Sequence, residues 1–234
     1  MRPEIIVDDQ YGLQRLLVER FTLCARAAIA ACGRFSCVLP GGSVAEVFFP
    51  SLAATAIDWS HVDFFWGDER AVAADDPDSN YRLAKALWLD HIPADPVGIH
   101  RMLAEEPDLD AAAATYATTL QACFHGKPRF DFVLLGVGAD GHVCSLFPDH
   151  PAVHDSRFVV AVHDSPKPPP RRMTLTLAAL DGATALYVAA FGEEKAAVIA
   201  EAIKNPPSQL PVALVARAAG QSVFLLDAAA ATLL

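Results

Sequence analysis

The segment Gly136-Val137-Gly138-Ala139-Asp140-Gly141-His142 sets an imidazole two residues from a carboxylate, with glycine around both. Histidine titrates near neutral pH and can take a proton from water, which is general-base chemistry. A histidine that only caps a short helix or satisfies a backbone carbonyl is the bland alternative. The surrounding glycines favour the chemical reading for His142, because glycine lets the chain approach a ligand closely. Arg70, in Trp66-Gly67-Asp68-Glu69-Arg70, offers a fork of donors for an oxyanion or a phosphate, set against a plain surface ion-pair cluster. In Pro40-Gly41-Gly42-Ser43, two glycines permit a tight bend and Ser43 is a natural N-cap. The N–H groups of the helix start that follows favour an anion, although a simple strand-to-helix turn would use the same residues. Lys167-Pro168-Pro169-Pro170-Arg171-Arg172 is a stiff cationic loop that holds a charge at low entropic cost, or else a proline-rich surface linker or partner-binding segment. Lys195, near the start of a helix, opposes the helix dipole and so points to an anion close by.

Other chemistries find less support. Gly136, Gly138 and Gly141 match the dinucleotide spacing G-x-G-x-x-G after a strand, but Pro148 arrives where the motif needs a full helix. No H-E-x-x-H or comparable ligand spacing occurs, so no metal site is expected. The G-x-S-x-G elbow of serine hydrolases is absent.

These groups need elements to position them. Apolar spacing predicts helices over 11–32, Ser43–Ala56, 80–90, 108–125 and Glu193–Lys204. Short apolar runs predict strands at Phe35–Leu39, Val62–Trp66, Phe130–Leu135, Phe158–Val162, Met173–Leu177, Ala185–Ala190, Val212–Val215 and Val223–Leu226. Residues 71–79 read as a loop ending in a helix cap at Asp78 or Ser79. Apolar strands alternating with helices imply an α/β chain with a largely parallel sheet covered on both faces. Ligands bind beyond the carboxyl ends of such strands, so the loops after Leu39, Trp66 and Leu135 are expected to converge.

Composition narrows the class. The 234 residues, 53% hydrophobic and 20% charged, suffice for one domain over 1–234 and are too apolar for a disordered chain. No apolar window spans a membrane and the first residues do not read as a secretory leader, so a cytoplasmic protein is expected. A net charge of −10 argues against a nucleic-acid partner but not against a small anion met by local cations. Five cysteines (24, 32, 37, 123 and 144) form no C-x-x-C and are expected to be reduced and mostly buried.

Together, Leu39–Ser43 (LPGGS), Phe64–Arg70 (FFWGDER), Asp75–Tyr81 (DDPDSNY), Phe130–Pro148 (FDFVLLGVGADGHVCSLFP) and Lys167–Leu177 (KPPPRRMTLTL) resemble the 6-phosphogluconolactonase family, in that family's order. The resemblance implies a three-layer α/β/α fold of the NagB/RpiA/CoA transferase-like type, shared with glucosamine-6-phosphate deaminase and ribose-5-phosphate isomerase. It implies hydrolysis of 6-phospho-D-glucono-1,5-lactone without metal or organic cofactor. Carried over motif by motif, His142 becomes the general base, Arg70 stabilises developing negative charge, and Asp68 orients Arg70 or a substrate hydroxyl. Asp140 joins them as a catalytic candidate. Gly41, Gly42, Ser43 and Ser145 become pocket residues, while Lys167, Arg172 and Lys195 supply cations. The implied partner is a phosphorylated sugar lactone bound by a monomer or small homo-oligomer.

Two departures stand out. Val44-Ala45 replaces the family's hydroxyl residue and proline, and Val143-Cys144 replaces Thr-Ala after the histidine. A deaminase on the same fold is disfavoured, since Ser145-Leu146-Phe147-Pro148 lacks that enzyme's extra acid. A sugar-phosphate-sensing regulator is disfavoured because the sequence leaves no room for its helix-turn-helix segment.

Overall fold

The computed structural model describes residues 3–92 and 98–234. In chain order the elements are β1 (Glu4–Val7), α1 (Gln10–Cys32), β2 (Phe35–Leu39), α2 (Gly42–Ala53), β3 (Val62–Trp66), β4 (Asp68–Arg70), α3 (Asn80–Leu87), β5 (Gly98–His100), α4 (Leu109–Cys123), β6 (Phe132–Gly136), β7 (Val159–Val162), β8 (Arg172–Leu175), α5 (Leu177–Leu180), β9 (Ala185–Ala190), α6 (Ala196–Lys204), α7 (Pro211–Ala218) and β10 (Ser222–Leu226). Seven strands form one sheet in the order β1-β10-β9-β6-β2-β3-β5, with every pairing parallel. All residues of β2, β9 and β10 are buried, which requires cover on both faces of the sheet. Helix α2 packs on both α1 and α3, while α7 packs on both α5 and α6. This is the expected helix-flanked, mostly parallel α/β architecture.

Helix α1 begins where the Asp9 side chain accepts the Gly12 N–H and ends at Gly33, whose φ of 79° suits glycine. Its buried stripe is Leu13, Leu17, Phe21 and Ala25. Phe21 meets Phe35 of β2 and Phe132 of β6 edge-on, with centroids 5.1 Å away in each case. The helix thereby fixes the two central strands whose carboxyl ends carry glycine loops.

A second, antiparallel sheet, β4-β8-β7, was not anticipated. The chain leaves β3 at Gly67 and enters this sheet at once, so Asp68-Glu69-Arg70 is a strand and not a loop. Three charged or polar residues carry no apolar alternation to reveal a strand. Val212–Val215 is likewise not a strand; it lies within α7, where Pro211 fits the first turn. Four apolar residues have no period that separates a strand from a buried helix face. The strand expected to run to Leu177 stops at Leu175, and Thr176 caps α5 by accepting the Ala179 N–H. Glu193–Lys195 is a 3-10 turn ahead of α6, and α2 and α3 end at Ala53 and Leu87, short of the expected boundaries. All five cysteines are free, but only Cys37 is buried, while Cys32 and Cys123 are exposed. Among the described residues no helix is long and apolar enough to cross a membrane.

Candidate active site

The carboxyl ends of β2, β3, β6 and β9 open on one cavity of about 300 Å³. The three loops expected to converge do so there. Gly41, Gly42 and Ser43 come from the β2 loop, Asp68 and Arg70 from beyond β3, and Gly138 and His142 from the β6 loop. Lys167, Arg172 and Lys195 complete the wall, so four cations face one space in a chain of net charge −10. No helix follows Gly141; the chain makes a tight turn with a Val143–Leu146 bridge, which removes the dinucleotide reading.

His142 is held from three sides. Its Nδ1 lies 2.5 Å from Asp140 Oδ1 and 3.4 Å from Lys167 Nζ, and its ring packs on Phe147 with centroids 4.6 Å apart. The Asp140 bond selects the Nδ1–H tautomer, leaving the Nε2 lone pair as the basic site. Burial lowers the His142 pKa below the ordinary histidine value, opposed by Asp140 and aided by Lys167. Burial raises that of Asp140, but the bond to His142 and the charges of His142 and Lys167 outweigh it and bring it to about 2. Asp140 is therefore ionised at neutral pH, with Lys167 Nζ 3.3 Å from its Oδ2. Gly138 makes room for the ring, since a Cβ there would stand 2.0 Å from His142 Nδ1.

Strand β4 alternates, so Asp68 and Arg70 share one face and Glu69 takes the other. Glu69 points away from the cavity to the start of α3. Its Oε1 accepts the Arg70 and Asn80 N–H groups, both at 2.8 Å, and its Oε2 accepts the Tyr81 N–H at 2.7 Å and the Ser79 hydroxyl at 3.1 Å. Burial raises the Glu69 pKa, opposed by those backbone donors. Ser79 caps α3, and the Asn80 amide donates to Asp68 Oδ1. Glu69, Ser79 and Asn80 were not among the expected site residues, although both of their motifs stood out in the sequence. The missing signal was the period-two alternation of a three-residue strand.

Several expected roles change. Asp68 does not orient Arg70. Its Oδ2 accepts the Ser145 hydroxyl at 2.5 Å and faces Arg172 Nη1 at 3.7 Å, while Arg70 Nη1 donates to the Asp78 carbonyl at 2.7 Å. Ser145 is fully buried behind the wall and supports Asp68, so it is no pocket residue. Ser43 is not the N-cap of α2; that position is Gly41, and no side chain caps the helix. Gly42, at the first position of α2, has φ 61°, a left-handed value that glycine accepts without strain. The leading N–H groups of α2 are thus left for a ligand. Lys195 reaches the cavity beside Glu194, with 3.8 Å between their charged atoms. Among the described residues no cluster of three or more His, Cys, Asp or Glu side chains suits a metal ion.

Chemically, the cavity offers a base in the correct tautomer, cations around it and uncapped backbone donors. That set suits attack of water on a carbonyl carbon of an anionic substrate.

The family model described as glucosamine-6-phosphate isomerases/6-phosphogluconolactonase matches residues 8–224. A 6-phosphogluconolactonase of Streptomyces coelicolor is 42% identical over 219 residues, 88% of this chain and 84% of that protein. A human 6-phosphogluconolactonase is 39% identical over 232 residues, 95% of this chain and 88% of that protein. The solved 6-phosphogluconolactonase of Trypanosoma cruzi superposes with a TM-score of 0.87 at 27% identity, covering 99% of this chain and 96% of its own. The chain belongs to the glucosamine-6-phosphate isomerase/6-phosphogluconolactonase family.

Proposed function

We propose that the chain is a 6-phosphogluconolactonase that hydrolyses 6-phospho-D-glucono-1,5-lactone to 6-phospho-D-gluconate, a step of the oxidative pentose phosphate pathway. The observation that carries this reading is the Asp140–His142 pair facing a cation-lined cavity at the sheet's carboxyl edge. The substrate class follows from the curated relatives named above.

In the mechanism, His142 Nε2 accepts a proton from water as the water oxygen bonds to C1 of the lactone. The carbonyl becomes an oxyanion, met by Arg70 on the same wall. Collapse of this intermediate breaks the C1–ring oxygen bond, and the imidazolium returns its proton to the ring oxygen. One water is consumed and an open acid results, with no covalent enzyme intermediate. A positioned base contributes about 10²–10⁴-fold and an oxyanion donor about 10²–10³-fold, enough for an already reactive ester. The phosphate, remote from C1, supplies binding energy through Lys195 and the uncapped start of α2, which orients the reacting end.

The test is to generate the lactone in situ and follow its disappearance with and without protein. Loss well above the spontaneous rate supports the reading. Release of ammonia from glucosamine 6-phosphate, or binding of 6-phosphogluconate without rate enhancement, contradicts it.

A further inference from the structure

Arg172 lines the same cavity as Lys167 and Lys195, yet its side chain is 6% exposed and makes four hydrogen bonds to the protein. A guanidinium has five N–H donors in a fixed fork. Nε donates to the Pro169 carbonyl at 2.9 Å, and Nη2 to the Pro168 and Lys167 carbonyls at 3.0 and 3.2 Å. Nη1 faces the Ser145 hydroxyl at 3.4 Å and the Asp68 carboxylate at 3.7 Å. Four acceptors within hydrogen-bond distance thus hold the guanidinium on the protein side, and its remaining charge is met by the Asp68 carboxylate.

The acceptors explain the arrangement. Pro168, Pro169 and Pro170 have no N–H, so the carbonyls of this segment need donors from elsewhere; the Ser165 hydroxyl serves the Lys167 carbonyl at 2.8 Å, and nothing within the segment serves those of Pro168 and Pro169. Arg172 supplies the donors for the Pro168 and Pro169 carbonyls and a second donor for that of Lys167, and the Ser165 N–H serves the Pro170 carbonyl at 2.9 Å. Asp68, across the β4–β8 pair, balances the buried charge. The segment so fastened is the one that carries Lys167 to the Asp140–His142 pair.

We infer that Arg172 is a positioning residue: it fastens residues 167–169 and thereby holds the Lys167 ammonium against Asp140 and His142, and it does not bind substrate. Lysine cannot replace it, because a single ammonium cannot span three carbonyls. The inference concerns the site of the proposed lactonase, but its first two tests need no substrate and so fail or succeed separately from that reading.

On the unmutated chain, the Arg172 Nε–H resonance is followed by NMR during titration with inorganic phosphate. It should stay in place while the Ser43 and Val44 backbone N–H resonances at the start of α2 move; a shift as large as theirs overturns the inference. The His142 titration is then compared in wild type, Lys167→Ala and Arg172→Lys. The groups acting on His142 are Asp140, Lys167 and, further off, Asp68. Arg172→Lys keeps the charge beside Asp68, so a movement of the His142 midpoint reports release of Lys167. The midpoint should rise in Arg172→Lys as it does in Lys167→Ala, and no further in the double variant. In activity, each single change should lower kcat/KM about tenfold and the double also about tenfold, the signature of two residues acting as one unit. An unmoved His142 midpoint in Arg172→Lys, or losses that multiply to about a hundredfold, overturns the inference.

Discussion

Replacing Asp140 by Asn removes one charge and little volume, and the structure sets the size of the effect. Asp140 Oδ1 lies 2.5 Å from His142 Nδ1, so the imidazolium formed during water attack is stabilised by a direct charge-assisted bond. Such bonds contribute about 1.5–3 kcal/mol. The Asp140 side chain is 36% exposed, so solvent screening favours the lower figure, about a tenfold change in rate. Lys167 adds to this. With its counter-charge gone, its ammonium still stands 3.4 Å from Nδ1 and opposes the imidazolium. The expected loss in kcat is between about ten- and a hundredfold. Because Asp140 sits behind His142 and not in the cavity wall, KM should stay within about threefold. The pH profile carries the sign. Asp140 holds the His142 pKa above what burial alone would give. The acid limb of kcat/KM, which reports the free base, should therefore move to lower pH in the variant as the plateau falls. Steady-state rates on lactone generated in situ, measured across the acid limb, test both parts. A limb that moves to higher pH, or a kcat within twofold of wild type, would refute the reasoning.

Lys195→Ala should raise KM about tenfold and leave kcat within about threefold, as expected for a cation that grips the phosphate in ground and transition states alike; a matching fall in kcat would place it at the reacting carbonyl instead. Gly138→Ala puts a Cβ 2.0 Å from the present position of His142 Nδ1, so the ring must move. A displacement of about 1 Å costs about a hundredfold in kcat, and a far-ultraviolet melt close to wild type would confirm that the loss is local. Glu69→Gln turns an amide toward the Arg70, Asn80 and Tyr81 N–H groups, which need acceptors. The expected destabilisation of about 1–3 kcal/mol should lower Tm by about 2–12 °C, whereas an unchanged Tm would show that the buried carboxylate is dispensable.

The parallel sheet was legible because its strands are continuous apolar runs stopped by glycine, as at Phe35–Leu39 before Pro40 and Phe132–Leu135 before Gly136. The convergence of their loops follows from topology alone. Legibility failed where residues pack polar groups against polar groups. Asp68-Glu69-Arg70 has no hydrophobic period, so neither its strand character nor the division of labour between its two faces shows in the sequence. Charge identity also did not predict partners. Arg70 and Arg172 look alike as cations, but one donates to the Asp78 carbonyl while the other is consumed by a proline-rich turn. Ser145 lay in a motif beside His142 yet points inward to Asp68, since the turn at Cys144, with φ 51°, redirects the chain. Burial of the Ser145 hydroxyl depends on contacts from β4 and β8, far away in sequence.

The most direct test of the central claim is the rate of His142→Ala on 6-phosphogluconolactone formed in situ, corrected for spontaneous hydrolysis. If the imidazole activates water, kcat falls at least a hundredfold while KM changes by no more than about threefold. A loss of kcat below about tenfold would contradict the account, because the cavity would then hydrolyse its substrate without the base around which it is built.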